Sequence, residues 1–228
     1  MKKILLASLV CTSLCLSQWA SADILAQWNF DALTLPNTPS NTPSVGQIVA
    51  DLGTGSAFGY HANGATVWST PAGNGSPKSF SANNWSVGDY FQFESSSLGH
   101  AGLIVSFDQT GSNTGPGTFG FQYSTDGLTF TQFATYSLIN AGWSTQNPTP
   151  NPSSYSFDLS ALTLLDNAPA IYFRLVDLDT TAINGNNVAS GGTGRVDNFT
   201  IATVPEPGSL TLVGVFGLLG VFLKRRRH

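Results

Sequence analysis

Apolar and polar residues alternate with a period of two over much of the chain between residues 23 and 204. Large apolar side chains occupy every second position at Phe91 and Phe93, and again at Leu103, Val105 and Phe107. A strand turns successive side chains to opposite faces of its sheet, so this period predicts half-buried β-strands. No stretch between the two chain ends has the 3.6-residue period of an amphipathic helix over three turns. The pattern therefore predicts an all-β domain.

About nine or ten such strands are expected, which is typical of a two-sheet antiparallel β-sandwich of the jelly-roll type over residues 23–203. In the first strand, Ile24, Ala26, Trp28 and Phe30 are expected to face the core. Segments rich in Pro, Gly, Asn and Ser separate the strands and predict loops. The Asp126-Gly127 pair predicts a hairpin, because these residues tolerate the positive φ of a tight turn.

Residues 1–22 are typical of a secretory signal peptide. Lys2 and Lys3 precede an apolar run, Ile4–Leu16, which is too short to span a bilayer. Ala20 and Ala22 supply the small residues that signal peptidase requires, so cleavage is expected before Asp23. An uncleaved N-terminal anchor is the alternative. The segment is predicted to be helical.

Residues 204–228 have three parts in succession. A short Pro-rich motif is followed by the apolar run Leu210–Leu223 and then by a basic end. Fourteen residues of helix span roughly 21 Å, against about 30 Å for a hydrocarbon core. The basic end would hold the terminus in the cytoplasm and stop translocation. The layout predicts a transient helical anchor that a sorting enzyme removes. The motif is Val204, Pro205, Glu206 and Pro207, and the basic stop is Lys224, Arg225, Arg226 and Arg227.

This tail closely resembles the PEP-CTERM sorting signal of Gram-negative bacteria. The resemblance implies recognition by an exosortase, transient anchoring in the inner membrane, and delivery to the cell surface or extracellular matrix. It also implies a bacterium that makes exopolysaccharide. An ordinary C-terminal membrane anchor is the alternative.

Charge limits the partners of the ectodomain. Residues 23–204 contain three basic side chains against twelve acidic ones, a net charge of −9, which would repel phosphates and excludes nucleic acid. Both cysteines, Cys11 and Cys15, lie in the predicted signal peptide. The mature protein is therefore expected to have no disulfide and no thiolate site.

A second resemblance concerns the ectodomain. Ile171–Leu175 and Gly192–Ile201 look like the closing strands of bacterial surface jelly rolls, which include several carbohydrate-binding modules. Tyr123–Phe130 resembles a hairpin found in the same proteins. The resemblance implies a surface domain and leaves its ligand open.

No motif predicts catalysis. Gly115–Gly120 has the letters of a dinucleotide fingerprint but leads into a strand instead of a helix. His61 and His100 are expected in exposed loops. A glycoside hydrolase needs two carboxylates, and Asp177 and Asp179 could share a strand face, although an ion pair with Arg174 explains them equally well. The protein is predicted not to be an enzyme, with hydrolysis the least favoured alternative.

Two kinds of binding residue remain. Tyr60, Trp68, Trp85 and Trp143 lie in or beside loops and could stack on sugar rings, although most large aromatics in a sandwich are core. Asp31 and Asp197 could begin the oxygen shell of a structural Ca²⁺, because the first and last strands of a jelly roll lie close together. The alternative is that Asp197 caps a turn by accepting backbone N–H groups.

The sequence thus predicts an exported, non-catalytic protein that is structural or adhesive in an exopolysaccharide matrix. The alternative is a carbohydrate-binding module for that exopolysaccharide. The expected partners are signal peptidase, exosortase and exopolysaccharide. No cofactor is expected other than the structural Ca²⁺ that Asp31 and Asp197 could hold.

Overall fold

The computed structural model describes residues 22–146, 148 and 153–205. The predicted signal peptide up to residue 21 lies outside the described residues, and with it Ala20. The tail from Glu206 onward, with Pro207 and the basic stop Lys224–Arg227, also lies outside them. The described chain forms a compact unit from Asp23 to Val204.

The described residues form thirteen strands and one short 3-10 helix. Every strand pair is antiparallel. The total exceeds the nine or ten strands that the sequence predicts. Three of the thirteen, β2, β3 and β5, have only two residues each, too few for an alternating pattern to reveal them. The strands are β1 Ile24–Trp28, β2 Ile48–Val49, β3 Leu52–Gly53, β4 Gly55–Tyr60, β5 Trp68–Ser69, β6 Phe80–Ala82, β7 Tyr90–Ser95, β8 Leu103–Gly111, β9 Thr118–Ser124, β10 Thr131–Ser137, β11 Ser154–Asp158, β12 Ile171–Asp177 and β13 Gly194–Thr203, with the 3-10 helix at Thr163–Leu165.

The strands divide between two sheets. One has seven strands in the order β11-β8-β13-β1-β3, with β6 beside β13 and β5 beside β6. The other has six strands in the order β10-β9-β12-β7-β4-β2. Consecutive strands therefore often belong to different sheets, as in a jelly roll. The predicted all-β, two-sheet antiparallel sandwich is confirmed.

Aromatic rings from both sheets form the core between them. Phe93 of the six-stranded sheet stacks on Phe199 of the seven-stranded sheet, with ring centroids 3.5 Å apart and planes 3° from parallel. Trp28 packs edge-on against both rings, at 5.2 and 6.0 Å. Its indole N–H donates to the Ile48 carbonyl oxygen, so the buried polar atom is satisfied. The alternation at Phe93 and Phe199 thus gave the correct inward faces.

The first strand departs from its predicted alternation. A register shift in the pairing of β1 with β13 lies between Ile24 and Ala26. Leu25 is consequently buried, whereas Ile24 is 46% exposed. The prediction that Ile24 faces the core is wrong, because an irregularity of this kind adds a residue and turns the side chains before it to the other face. Trp28 and Phe30 are buried as predicted.

The predicted hairpin at Asp126-Gly127 joins β9 to β10. Gly127 has φ +70°, which the sequence anticipated, but the connection runs over residues 125–130 and is longer than a two-residue turn. The Asp126 carboxylate accepts the N–H groups of Leu128 and Thr129, both at 2.8 Å, and the Ser124 hydroxyl. These hydrogen bonds to the charged form lower the pKa of Asp126 to about 2, so the carboxylate stays ionised and fixes the loop.

Candidate functional site

The outward side of the six-stranded sheet carries a row of amide, guanidinium and aromatic groups. The register pairs Phe58 with Gln92, Gln92 with Arg174, and Arg174 with Gln122. Gln122 is paired in turn with Gln132 on β10. Antiparallel neighbours in register lie on the same face, so these five side chains form one line across five strands. We call this line the Arg174 row.

Arg174 is held at the centre of this row between two aromatic rings. Its guanidinium carbon lies 3.9 Å from the centroid of Tyr90 and 3.7 Å from that of Phe130. Nε donates to the Gln92 side-chain oxygen at 2.8 Å, and one Nη donates to the Tyr90 hydroxyl at 3.2 Å. Partial burial lowers the pKa of Arg174, but a guanidinium keeps its charge in proteins. The stacked geometry fixes the plane of its remaining N–H donors.

Three aromatic rings lie beside the Arg174 row on the outer side of the sheet. Tyr60 at the end of β4 is 41% exposed, and its ring centroid is 5.9 Å from that of Tyr90. Phe130 reaches the row from the β9–β10 loop, which the Asp126 carboxylate fixes. Tyr60, Tyr90 and Phe130 are half-buried or exposed, so part of each ring is open to solvent. Together with the Arg174 row they form what we call the amide–aromatic face.

The amide–aromatic face offers the two kinds of contact that a neutral sugar ring makes with proteins, namely stacking and hydrogen bonding. Aromatic rings offer apolar surface for the C–H side of a sugar ring, and amides and a guanidinium offer donors and acceptors for its hydroxyls. Gln122 and Gln132 are joined by a 3.1 Å hydrogen bond, which orients both amides. Among the described residues, two of the five guanidinium N–H donors of Arg174 are used, which leaves donors for a ligand.

The structure corrects three of the four predicted sugar-stacking residues. Trp68, Trp85 and Trp143 are 2%, 6% and 7% exposed, so little of each ring is open to solvent. Trp68 and Trp85 pack in the hydrophobic core, and the Arg195 guanidinium carbon lies 5.1 Å from the centroid of the Trp143 ring. Their indole N–H groups donate to the Ser40 carbonyl, the Ala82 carbonyl and the Ser153 hydroxyl. Loops cover these rings, and proximity to a loop in the sequence therefore did not indicate exposure. Tyr60 is the predicted residue that lies on the amide–aromatic face.

Asp31 and Asp197 both contact the loop before β6. One Asp197 oxygen accepts the Asn74 N–H and the Ser76 hydroxyl, both at 2.8 Å, and the other accepts the N–H of Asn198. Asp31 accepts the Lys78 N–H at 3.3 Å. These bonds occupy both Asp197 oxygens, so the pair fits the turn-capping alternative better than a Ca²⁺ shell. Calcium binding there stays a prediction.

One expectation about ionisable groups is wrong, and one alternative that the sequence left open is excluded. His61 is fully buried and lies between Trp68 and Trp85, with ring centroids at 4.8 and 4.2 Å, because the loop after β4 folds inward. Arg174 does not pair with Asp177. The two residues are three apart in β12, so they point to opposite faces, and Asp177 is 1% exposed on the inner side.

Sequence reasoning missed most of the amide–aromatic face. Gln92, Gln122 and Arg174 occupy the polar phase of their strands, which the alternation does show. A planar amide or guanidinium side chain at an outward position of three different strands is the sequence feature that could have indicated this face. Their alignment depends on the register between β7, β12 and β9, which no single strand reveals.

The C-terminal segment matches a known family. Residues 203–227 fit the family described as the PEP-CTERM protein-sorting motif. The tail is a PEP-CTERM sorting motif. A PEP-CTERM motif indicates an exported protein that is sorted to the cell surface and processed by an exosortase. In the part of the chain that the structure describes, no helix has the length and hydropathy to cross a bilayer.

No curated protein matches the chain. Solved structures with a similar strand arrangement include the CBM22-2 xylan-binding domain of Paenibacillus barcinonensis Xyn10C, with 11% identity, a TM-score of 0.42, and coverage of 79% of this chain and 99% of that one. The K1 cleaved adhesin domain of Lys-gingipain from Porphyromonas gingivalis W83 has 12% identity and a TM-score of 0.39, with 78% and 97% coverage. TmCBM61 in complex with β-1,4-galactotriose has 13% identity and a TM-score of 0.33, with 73% and 83% coverage. At these values the similarities identify no ligand for this chain.

Proposed function

We propose that this PEP-CTERM protein is a non-catalytic surface protein whose ectodomain binds an extracellular polysaccharide through the amide–aromatic face. The observation that carries the proposal is the Arg174 guanidinium, stacked between Tyr90 and Phe130 at the centre of a line of side-chain amides. Such a row offers repeated hydrogen bonds to a chain lying across the strands. Sorting to the surface would then place this face beside the matrix.

The charge of the domain favours an uncharged chain as ligand. Residues 23–204 have a net charge of −9, and Arg174 is accompanied on its side of the sheet by Glu94, which pairs in register with Tyr172. A polyanionic glycan would be repelled by the domain as a whole. We therefore expect a neutral hexose or pentose polymer to bind more tightly than a uronic acid polymer of equal length.

The outer side of the seven-stranded sheet provides a control surface for the amide–aromatic face. Its broad depression has a volume of about 470 Å³. It is lined by Gln27, by small polar groups such as Ser106, and also by Asp108, Phe107 and Tyr155. The Gln27 amide donates to the Thr200 hydroxyl at 3.0 Å. The depression has no cationic side chain to complement its amides. Substitutions there serve as matched controls.

A glycan array with the exported protein tests the proposal, followed by titration of the best ligand. Tyr60→Ala and Arg174→Lys are expected to weaken binding at least about tenfold, because one removes a stacking surface and the other a planar set of donors. Gln27→Ala should bind like the wild type. Arg174→Lys keeps the charge, so a loss in this variant separates planar recognition from simple attraction.

Two outcomes would contradict the proposal. Failure to bind any neutral glycan would favour the alternative, a structural matrix protein without a binding face. Binding that is lost in Gln27→Ala and retained in Tyr60→Ala would move the site to the other sheet. Circular dichroism of each variant checks that the sandwich remains folded.

A further inference from the structure

A cavity that shares no residue with the amide–aromatic face lies at the end of β12. Its volume is about 330 Å³. Oxygen-bearing side chains line much of it, namely those of Ser86, Asp177, Asp179, Thr180 and Asn187. Trp85 forms one wall. Neither the sorting motif nor the proposed polysaccharide site uses any of these residues.

Asp177 is the unusual member of this lining. Its side chain is 1% exposed, and neither carboxyl oxygen has a hydrogen-bond partner among the described residues. The Asp179 backbone N–H lies near the Asp177 carboxyl group, but its geometry falls short of a hydrogen bond. Buried carboxylates are almost always bonded or paired, because leaving water without a partner costs several kcal/mol. An orphaned carboxyl lining a cavity indicates a missing partner.

The charges around Asp177 specify the sign of that partner. The carboxylates of Asp179 and Asp89 lie near Asp177, so the surroundings of its carboxyl group are negatively charged. Arg174, the nearest basic residue in sequence, points to the opposite face of β12. The Asp89 oxygens already accept the N–H groups of Ala62 and Ser86. The cavity therefore combines negative charge with unused acceptors.

We propose that this cavity binds a calcium ion through Asp177 and Asp179, with the neutral oxygens of Ser86, Thr180 and Asn187 completing the shell. All five donors are hard oxygens, the set that Ca²⁺ prefers, and the absence of His and Cys from this lining disfavours zinc. Calcium accepts six to eight oxygens in irregular geometry, whereas Mg²⁺ requires a near-ideal octahedron.

The number of charges sets the expected affinity. No cluster of three or more His, Cys, Asp or Glu that could hold a metal occurs among the described residues, so this site has two carboxylates only. Two carboxylates give a weak site, with an expected Kd of about 10⁻⁴–10⁻³ M, the range of extracellular calcium modules. Export to the cell surface is compatible with such an affinity. Calcium binding in this cavity does not require polysaccharide binding.

Trp85 provides a direct test, because an indole beside a bound Tb³⁺ sensitises its luminescence. The exported protein is stripped with a chelator and titrated with Tb³⁺ at neutral pH under indole excitation. We expect saturable emission from one site, displaced by Ca²⁺ and less well by Mg²⁺. Asp177→Asn and Asp179→Asn should each weaken Ca²⁺ binding at least tenfold. Asp158→Asn, which changes an exposed carboxylate on another strand, should leave binding unchanged.

Several results would overturn the site. Absence of saturable emission would do so, as would unchanged Ca²⁺ affinity in Asp177→Asn and Asp179→Asn. Calcium binding that is lost in Asp197→Asn and retained in Asp177→Asn would assign the ion to the Asp31–Asp197 pair instead. Should Asp177→Asn fail to fold, the half-exposed Asp179 supplies the same test from the cavity rim.

Discussion

At the scale of single residues, burial determines the chemistry of the ionisable side chains. The His61 Nδ1 lies 3.5 Å from an Asp89 oxygen, a distance that would indicate an ion pair if the imidazole were charged. Burial, however, lowers the pKa of His61 to about 3 and raises that of Asp89. At neutral pH the imidazole is therefore uncharged, and its Nδ1 contacts the Thr66 hydroxyl and the Asn83 carbonyl at 3.1 Å each. The contact with Asp89 is a polar contact and not a salt bridge.

The neutral His61 predicts part of the acid sensitivity of the protein. An unfolded histidine has a pKa near 6.5, so between about pH 6.5 and 3 the unfolded chain takes up a proton that the folded chain does not. The free energy of unfolding should thus decrease as pH falls through this window, by at most about 5 kcal/mol from this residue. His61→Gln should remove that part of the slope in denaturant unfolding measured from pH 7 to 4, whatever its effect at pH 7.

His100 supplies the matched control, because it is the other histidine of the ectodomain and is half-exposed. His100→Gln, measured in the same way, shows the effect of replacing a histidine that is not fully buried. Since the carboxylates are common to all three proteins, they cancel in the comparison. Equal slopes in the wild type and in His61→Gln would contradict the buried, neutral imidazole.

At the scale of the strand, a bulge determines which face of β13 enters the core. The register of β13 with β8 shifts between Asp197 and Thr200, and Asn198 within the shift has φ +51°. The Asn198 side-chain amide donates to Asp108 at 2.9 Å. The extra residue turns Phe199 inward, onto Phe93, after Val196 has also faced inward. The core stack therefore depends on one residue in the left-handed region.

Substitution of Asn198 should separate backbone strain from the side-chain hydrogen bond. Asn198→Ala loses the bond and leaves at this positive φ a residue that adopts it less readily than Asn or Gly does, with an expected cost of about 1–3 kcal/mol. Asn198→Gly loses the same bond without the strain, so it should be more stable than Asn198→Ala by about 1 kcal/mol. Denaturant unfolding of both variants measures the difference. Equal stabilities would show that the positive φ contributes nothing to the cost.

The same strands show how much could be predicted. The period of two identified the inward faces of β7, β8 and β12, because apolar side chains at every second position have only one buried orientation. It failed at Ile24, where the register shifts, and it could not align Gln92, Arg174 and Gln122. Bulges and register are set by pairing between strands distant in sequence, so a single strand carries little information about them. The amide–aromatic face was therefore out of reach, although Tyr60 on it was predicted.

At the scale of the whole molecule, the first and last strands of the ectodomain meet. Asp23 donates its N–H to the Thr203 hydroxyl at 3.0 Å, and the Thr203 N–H donates to the Asp23 carbonyl at 2.9 Å. Val204 then donates to the Gly102 carbonyl at 2.6 Å. The last residues before the Pro-Glu-Pro segment are thus fixed to the sheet, and so is the predicted mature N-terminus. Removal of both terminal segments would leave every strand of the sandwich intact.

The termini of the mature protein follow from this arrangement. Signal peptidase is expected to cut between Ala22 and Asp23, and the exosortase to remove or exchange the tail beyond the sorting motif, because fourteen apolar residues are marginal for a permanent span. Intact mass and terminal peptides of surface-released protein should show Asp-Ile-Leu-Ala at the start and no peptide from Lys224–His228. In a strain without exosortase the same peptides should include the tail. Retention of Met1 would refute the first cut, and a complete tail on mature protein from the wild-type strain would refute the second.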